Sequence, residues 1–100
     1  MQVELNQVYT IKIANGDEIV AKITADYSGH YTVESPLTVV PGPQGIQMIR
    51  SLFTADPAAI ITINKAQVSI IAASREEVCD SYTEAITGIK PVRSSKILLG

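Results

Sequence analysis

Asn15-Gly16 lies between two segments in which apolar and polar residues alternate, and no other feature narrows the possible folds as much. Before it, Val8, Thr10 and Lys12 alternate with Tyr9, Ile11 and Ile13, a period of two that gives a strand two unlike faces. After it, Glu18 to Thr24 places Ile19, Ala21 and Ile23 on one face, with Val20 and Lys22 on the other. Asn-Gly supplies the two positive-φ positions of a type I′ turn, so a tight hairpin is predicted. The small Ala21 within the second strand leaves room for the sheet to curl over itself, which suggests a barrel.

The remaining chain reads as further short strands and one helix. Asp26-Tyr-Ser-Gly29 is rich in turn formers, and a third strand begins near Tyr31 and carries Val33, Leu37, Val39 and Val40. Pro36 within it demands an edge position or a bulge. Pro41-Gly-Pro-Gln-Gly45 reverses the chain, and Ile46 to Thr54 resumes an extended pattern, making a long second hairpin. Ile60 to Ile63 and Val68 to Ala72 are short apolar strands separated by Asn64-Lys-Ala-Gln67, the length of one tight helical turn. Ser74-Arg-Glu-Glu77 has the form of a capping box. The helix it opens, about residues 75–87, puts Val78, Tyr82, Ala85 and Ile86 on one stripe facing the barrel, and Gly88 and Pro91 provide a stop. The tail, 88–100, ends in Ile97-Leu98-Leu99 and reads either as a loose end or as an extra strand for a neighbour.

Composition bounds the function. One hundred residues, 46% hydrophobic and dominated by Ile, Val, Ala and Leu, suffice for one core, so residues 1–100 are read as a single mainly β domain with its barrel at about 8–73. A formal net charge of −2 excludes a monomer-wide positive field, so any RNA contact must be local. The first twenty residues lack a basic start followed by an apolar run, and no stretch reaches about 18 apolar residues, so a soluble, cytoplasmic protein with no membrane contact is expected. Cys79 is alone and reads as a packing residue. With His30 forty-nine positions away and no elbow or triad signature, catalysis has no support and no enzyme is expected. No cofactor or metal is expected either. Glu76, Asp80 and Glu84 share a helical face, which reads as the solvated side of an amphipathic helix.

Ile11-Lys-Ile-Ala-Asn15-Gly16-Asp-Glu-Ile-Val-Ala-Lys-Ile23 resembles the first motif of the Sm-like (Sm/LSm/Hfq) family: an apolar strand, a turn with a near-obligatory Gly, and a strand with a small residue at its bend. Asp26-Tyr-Ser-Gly-His30 is similar to the family's Asp-x-x-x-Asn segment, where the Asp orients the loop and the Asn reads a base; His30 stands in place of the Asn. Ile63-Asn-Lys65-Ala-Gln-Val68-Ser-Ile-Ile71 resembles the second motif in its bacterial, Hfq-type form, with Lys65 matching the pore-side Lys and Ala66 replacing the following His. The likeness covers about Tyr9 to Ser74. The family's usual N-terminal helix is reduced to a short segment before Val8, and a hairpin and a C-terminal helix are added, as in a divergent, phage-encoded member.

The resemblance implies a strongly bent five-stranded antiparallel barrel that self-associates into a closed homo-oligomeric ring and binds single-stranded RNA at a central pore, in the manner of an RNA chaperone or regulator. It implies Tyr27, His30, Tyr31, Asn64 and Lys65 as RNA-binding residues. A ring of Lys65 ammonium groups would focus positive potential on phosphates, and the rings of Tyr27, His30 and Tyr31 would stack unpaired bases. Set against this are blander readings: His30 an exposed turn residue, Lys65 a solvated turn cation. The alternative function is a structural or assembly ring that keeps the fold without binding RNA.

Overall fold

In the computed structural model of the chain, which describes residues 2–56 and 58–88, the two alternating segments form β1 (Gln7–Ile13) and β2 (Glu18–Asp26). They pair antiparallel from Gln7↔Ile23 to Lys12↔Glu18. Their connection differs from the two-residue turn predicted. Ile13 N–H donates to Asp17 O (3.0 Å) and Gly16 N–H to Ile13 O (2.9 Å), so three residues form the loop, and of these only Gly16 has positive φ, 96°. This is a turn closed by a glycine bulge. Asn15 keeps ordinary backbone and acts through its side chain, whose oxygen accepts from Asp17 N–H at 2.9 Å.

β3 (His30–Gly42) changes partner halfway along. Residues 30–33 pair with β5 (Ile61–Asn64) and residues 37–42 with β4 (Gly45–Arg50), while β2 follows the opposite edge. Against β2 the register jumps from Val20↔Leu37 to Lys22↔Glu34, which leaves Ser35 and Pro36 both opposite Ala21. That is a β-bulge. Ser35 adopts φ 48°, and Pro36, having no N–H to give the ladder, loses nothing there; its carbonyl accepts from Ser51 N–H at 3.1 Å. The small Ala21, fully buried, and the bulge at Pro36 are therefore two sides of one bend.

Pro43 and Gln44 form the reversal closed by Gly42↔Gly45, and β4 ends at Arg50, short of the Thr54 expected. β5 passes through the single 3-10 turn Lys65–Gln67 into β6 (Val68–Ala73), as the spacing predicts, and β6 crosses to pair with β1. The strand order is β4-β3-β2-β1-β6, with β5 also on β3. The expected closed five-stranded barrel is thus replaced by a bent sheet of six strands that does not close. The physical reason is that β4 and β5 share one edge of β3, each covering half of it. β5 is four residues long, and its three-residue turn sends the chain directly to β1, so among the described residues no ladder joins β6 to β4 or β5.

Both faces of β2 are covered. Tyr9, Ile11, Ile19, Ala21, Ile23 and Val33 form one core inside the bend, capped by Val3 from the N-terminal segment. On the other face Val20, Leu37 and Met48 pack under Tyr82 of α1 (Glu76–Thr87). The Tyr82 hydroxyl donates to Glu34 O at 2.8 Å. Burial raises its pKa above the ordinary 10.0, outweighing the hydrogen bonds from the Lys22 backbone and Ser35 side chain that lower it.

The helix departs from expectation in three ways. Its N-cap is Arg75, which makes no side-chain cap bond, because the Ser74 hydroxyl is paired at 2.8 Å with that of Thr10 on β1. The stripe that packs is Val78 and Tyr82, whereas Ala85 and Ile86 are exposed. Asp80, expected on a solvated acidic face, is buried, as is Ser81. The stop is as predicted: Gly88 is left-handed (φ 75°), with its N–H bonded to Glu84 O at 2.8 Å. Pro91 and the 89–100 part of the tail lie outside the described residues. Among those described, no helix is long and apolar enough to cross a membrane.

Candidate functional site

The site begins at the β2–β3 reversal. Asp26↔Tyr31 is the last pair of the β2–β3 ladder, and Tyr27 N–H donates to His30 O at 2.9 Å across a turn of Ser28 and Gly29. Next to it, the β3–β5 ladder starts at His30↔Asn64 and is extended when Lys65 N–H donates to Gly29 O at 3.0 Å. Two segments about thirty-five residues apart in sequence are thereby locked side by side. All five RNA-binding candidates, Tyr27, His30, Tyr31, Asn64 and Lys65, lie at this one end of the sheet.

Their individual environments differ. Tyr27 is 55% exposed, and its ring centroid sits 4.8 Å from that of half-buried His30, with the planes tilted by 32°. The pair presents aromatic surface to solvent, which suits stacking on an unpaired base. Tyr31 does not. It is buried in the inner core, and its ring is covered by the Lys65 ammonium 4.6 Å from the centroid, so it is a floor beneath Lys65 and not a platform. Asn64 is likewise structural: its side-chain oxygen accepts from Ala66 N–H at 2.9 Å and caps the 3-10 turn.

Lys65 is a partly solvated cation but not an isolated one. Its Nζ lies 2.6 Å from Asp26 Oδ1, with both side chains about one-third exposed (32% and 31%). Asp26 was not among the candidates, although it opens the Asp-x-x-x-His30 segment. The signal for it was that position, and a charge on the strand facing Lys65 was readable only from the ladder. A pair this exposed contributes roughly 0–1 kcal/mol. It also balances the Lys65 charge locally.

Elsewhere, a concavity of about 300 Å³ opens between the Ser35-Pro36 bulge, Leu52, Ile61 and Ile86. No sequence motif marked it, since its wall is assembled from five separate segments. Cys79 is half-buried in α1 with Sγ 3.8 Å from Ser74 O. Among the described residues no group of three His, Cys, Asp or Glu side chains converges as metal ligands would. No family model matches the chain, and no curated protein matches it significantly.

Proposed function

We propose that this chain is a Sm-like protein that assembles into a closed ring of identical copies and binds single-stranded RNA at the end of the sheet where the Tyr27–His30 turn and Lys65 of each copy meet. One observation carries the proposal: the β3–β5 ladder brings the two segments that resemble the family's base-reading loop and pore-side Lys into one cluster. The bent sheet supports it, as do its open edges. β6 pairs with β1 on one side only, and β4 and β5 each pair only with β3 among the described residues, so strand pairing between copies has donors and acceptors ready. Each copy adds one exposed aromatic pair to the ring, and base stacking at about 1–3 kcal/mol per base gains from repetition.

A second reading is favoured by the Lys65–Asp26 ion pair: a ring of the same build, without RNA affinity, serving as a structural or assembly element. Titration of uridine- and adenosine-rich oligomers at low salt separates the two. RNA binding predicts saturable affinity that Tyr27→Ala reduces at least tenfold, by loss of about 1.4 kcal/mol or more of stacking. No affinity in any oligomer leaves the assembly reading. Light scattering tests the ring itself, and a monomeric mass would remove both.

A further inference from the structure

Within the RNA-binding reading, on which this inference rests, we infer that Asp26 is the specificity-determining residue: it withholds Lys65 from phosphate, so the site holds unpaired bases by stacking and rejects duplex. The observations are the 2.6 Å contact between Lys65 Nζ and Asp26 Oδ1, the cover that Nζ makes over buried Tyr31, and the exposed Tyr27 beside His30.

Three contacts fix where the Lys65 charge is used. The 3-10 turn anchors its backbone on Gly29 O, the Tyr31 ring lies beneath its ammonium, and Asp26, at the end of β2, neutralises it. Phosphate must therefore displace a carboxylate held by the β2–β3 ladder, and the carboxylate left behind recruits a cation from solution. That uptake offsets the counterions released by the nucleic acid, so affinity depends weakly on salt. Repeating the site around a ring multiplies a neutral pair and creates no positive pore. Tyr27 and His30, by contrast, offer ring faces, which only unpaired bases can reach. A duplex presents phosphates and keeps its bases stacked, so it meets the ion pair and nothing else.

The test compares the full-length chain with Asp26→Asn, which is isosteric and keeps a polar partner for the Lys65 ammonium. A uridine-rich single strand and an RNA duplex of equal length are titrated over a salt series. For the unaltered chain the expected result is single-strand binding with a shallow salt slope and duplex affinity at least tenfold weaker. For Asp26→Asn the slope steepens by about 0.7 per contacted copy, duplex affinity rises, and adding Lys65→Ala returns both to the starting level. Unchanged melting temperatures establish that the variants fold. A steep slope in the unaltered chain, or an Asp26→Asn slope and duplex discrimination equal to the parent's, overturns the role of Asp26 while leaving RNA binding intact. Absence of single-strand binding by the unaltered chain at low salt overturns the RNA reading and this inference with it.

Discussion

The half of β3 before Ser35 faces β5 and ends in a polar, ion-paired turn, whereas the half after Pro36 faces β4 and lies beneath α1. In the first half the side chains directed inward, Tyr31 and Val33, join a core shared with β1 and β2, and the outward ones, such as His30, meet solvent. In the second half Leu37 belongs to the opposite core, under Tyr82. The bulge brings about the exchange. A two-residue bulge opposite one residue bends the strand and lets it give up one partner for another without leaving a buried N–H unpaired, since the residue at that point is proline. One end of the sheet is thereby free to display loops, and the other is closed by a helix.

Substitutions in each half break this comparison in different ways. Truncating either core has the largest effect: in urea unfolding Tyr82→Ala should cost about 3–5 kcal/mol and Ile23→Ala about 2–5 kcal/mol. Native-state hydrogen exchange should distinguish them, because Tyr82→Ala releases α1 and β4 first, whereas Ile23→Ala weakens β1–β2 and the whole sheet with them. Equal protection losses in the two variants would mean that the two cores act as one. Ala21→Leu, which forces extra volume between β2 and the bulge, is expected to destabilise by about 1–3 kcal/mol and to disturb both halves together.

Tyr82→Phe isolates the hydroxyl. At neutral pH it should cost about 1 kcal/mol, the worth of one hydrogen bond. Because the folded pKa is raised above 10.0, the native state keeps a proton that the unfolded chain loses. Stability from this group is therefore complete below about pH 10 and is lost as pH climbs from there through the raised folded value, and the phenylalanine variant should fall less steeply over the same range. Identical alkaline unfolding profiles would contradict a raised pKa. Ser35→Gly relieves the left-handed strain of a non-glycine residue but also removes its side-chain hydrogen bond to Tyr82, each worth about 1 kcal/mol, so the thermal midpoint should shift little. Asp26→Asn has the smallest expected effect on folding, under about 1 kcal/mol, so a large drop in the melting temperature would show that the ion pair supports the turn more than its exposure suggests.

Much of the local structure was legible in the sequence. Alternation placed β1 and β2, the Asn64–Gln67 spacing placed the 3-10 turn, and Gly88 ended the helix, because each rests on a local property: period, glycine conformation or capping. Tyr27, His30 and Lys65 were expected together on the family resemblance, and the ladder through His30↔Asn64 sets their segments side by side. What went wrong was decided by competition for partners. Ser74 has the right spacing to cap α1, but Thr10 on β1 takes its hydroxyl; Asn15 suits a type I′ turn, but its side chain holds Asp17 instead. Tyr31 looks like a stacking residue until the inner core buries it.

The sequence by itself determined which segments extend, where they reverse and which residues carry charge or aromatic rings, since strand period and turn chemistry act over a few residues. Only the tertiary structure decided that β4 and β5 divide one edge of β3, that the sheet stays open, and that Lys65 is neutralised by Asp26. Those outcomes depend on which hydrogen-bonding edge and which counter-charge lie nearest after the chain has folded, and positions thirty-nine residues apart carry no local sign that they will meet.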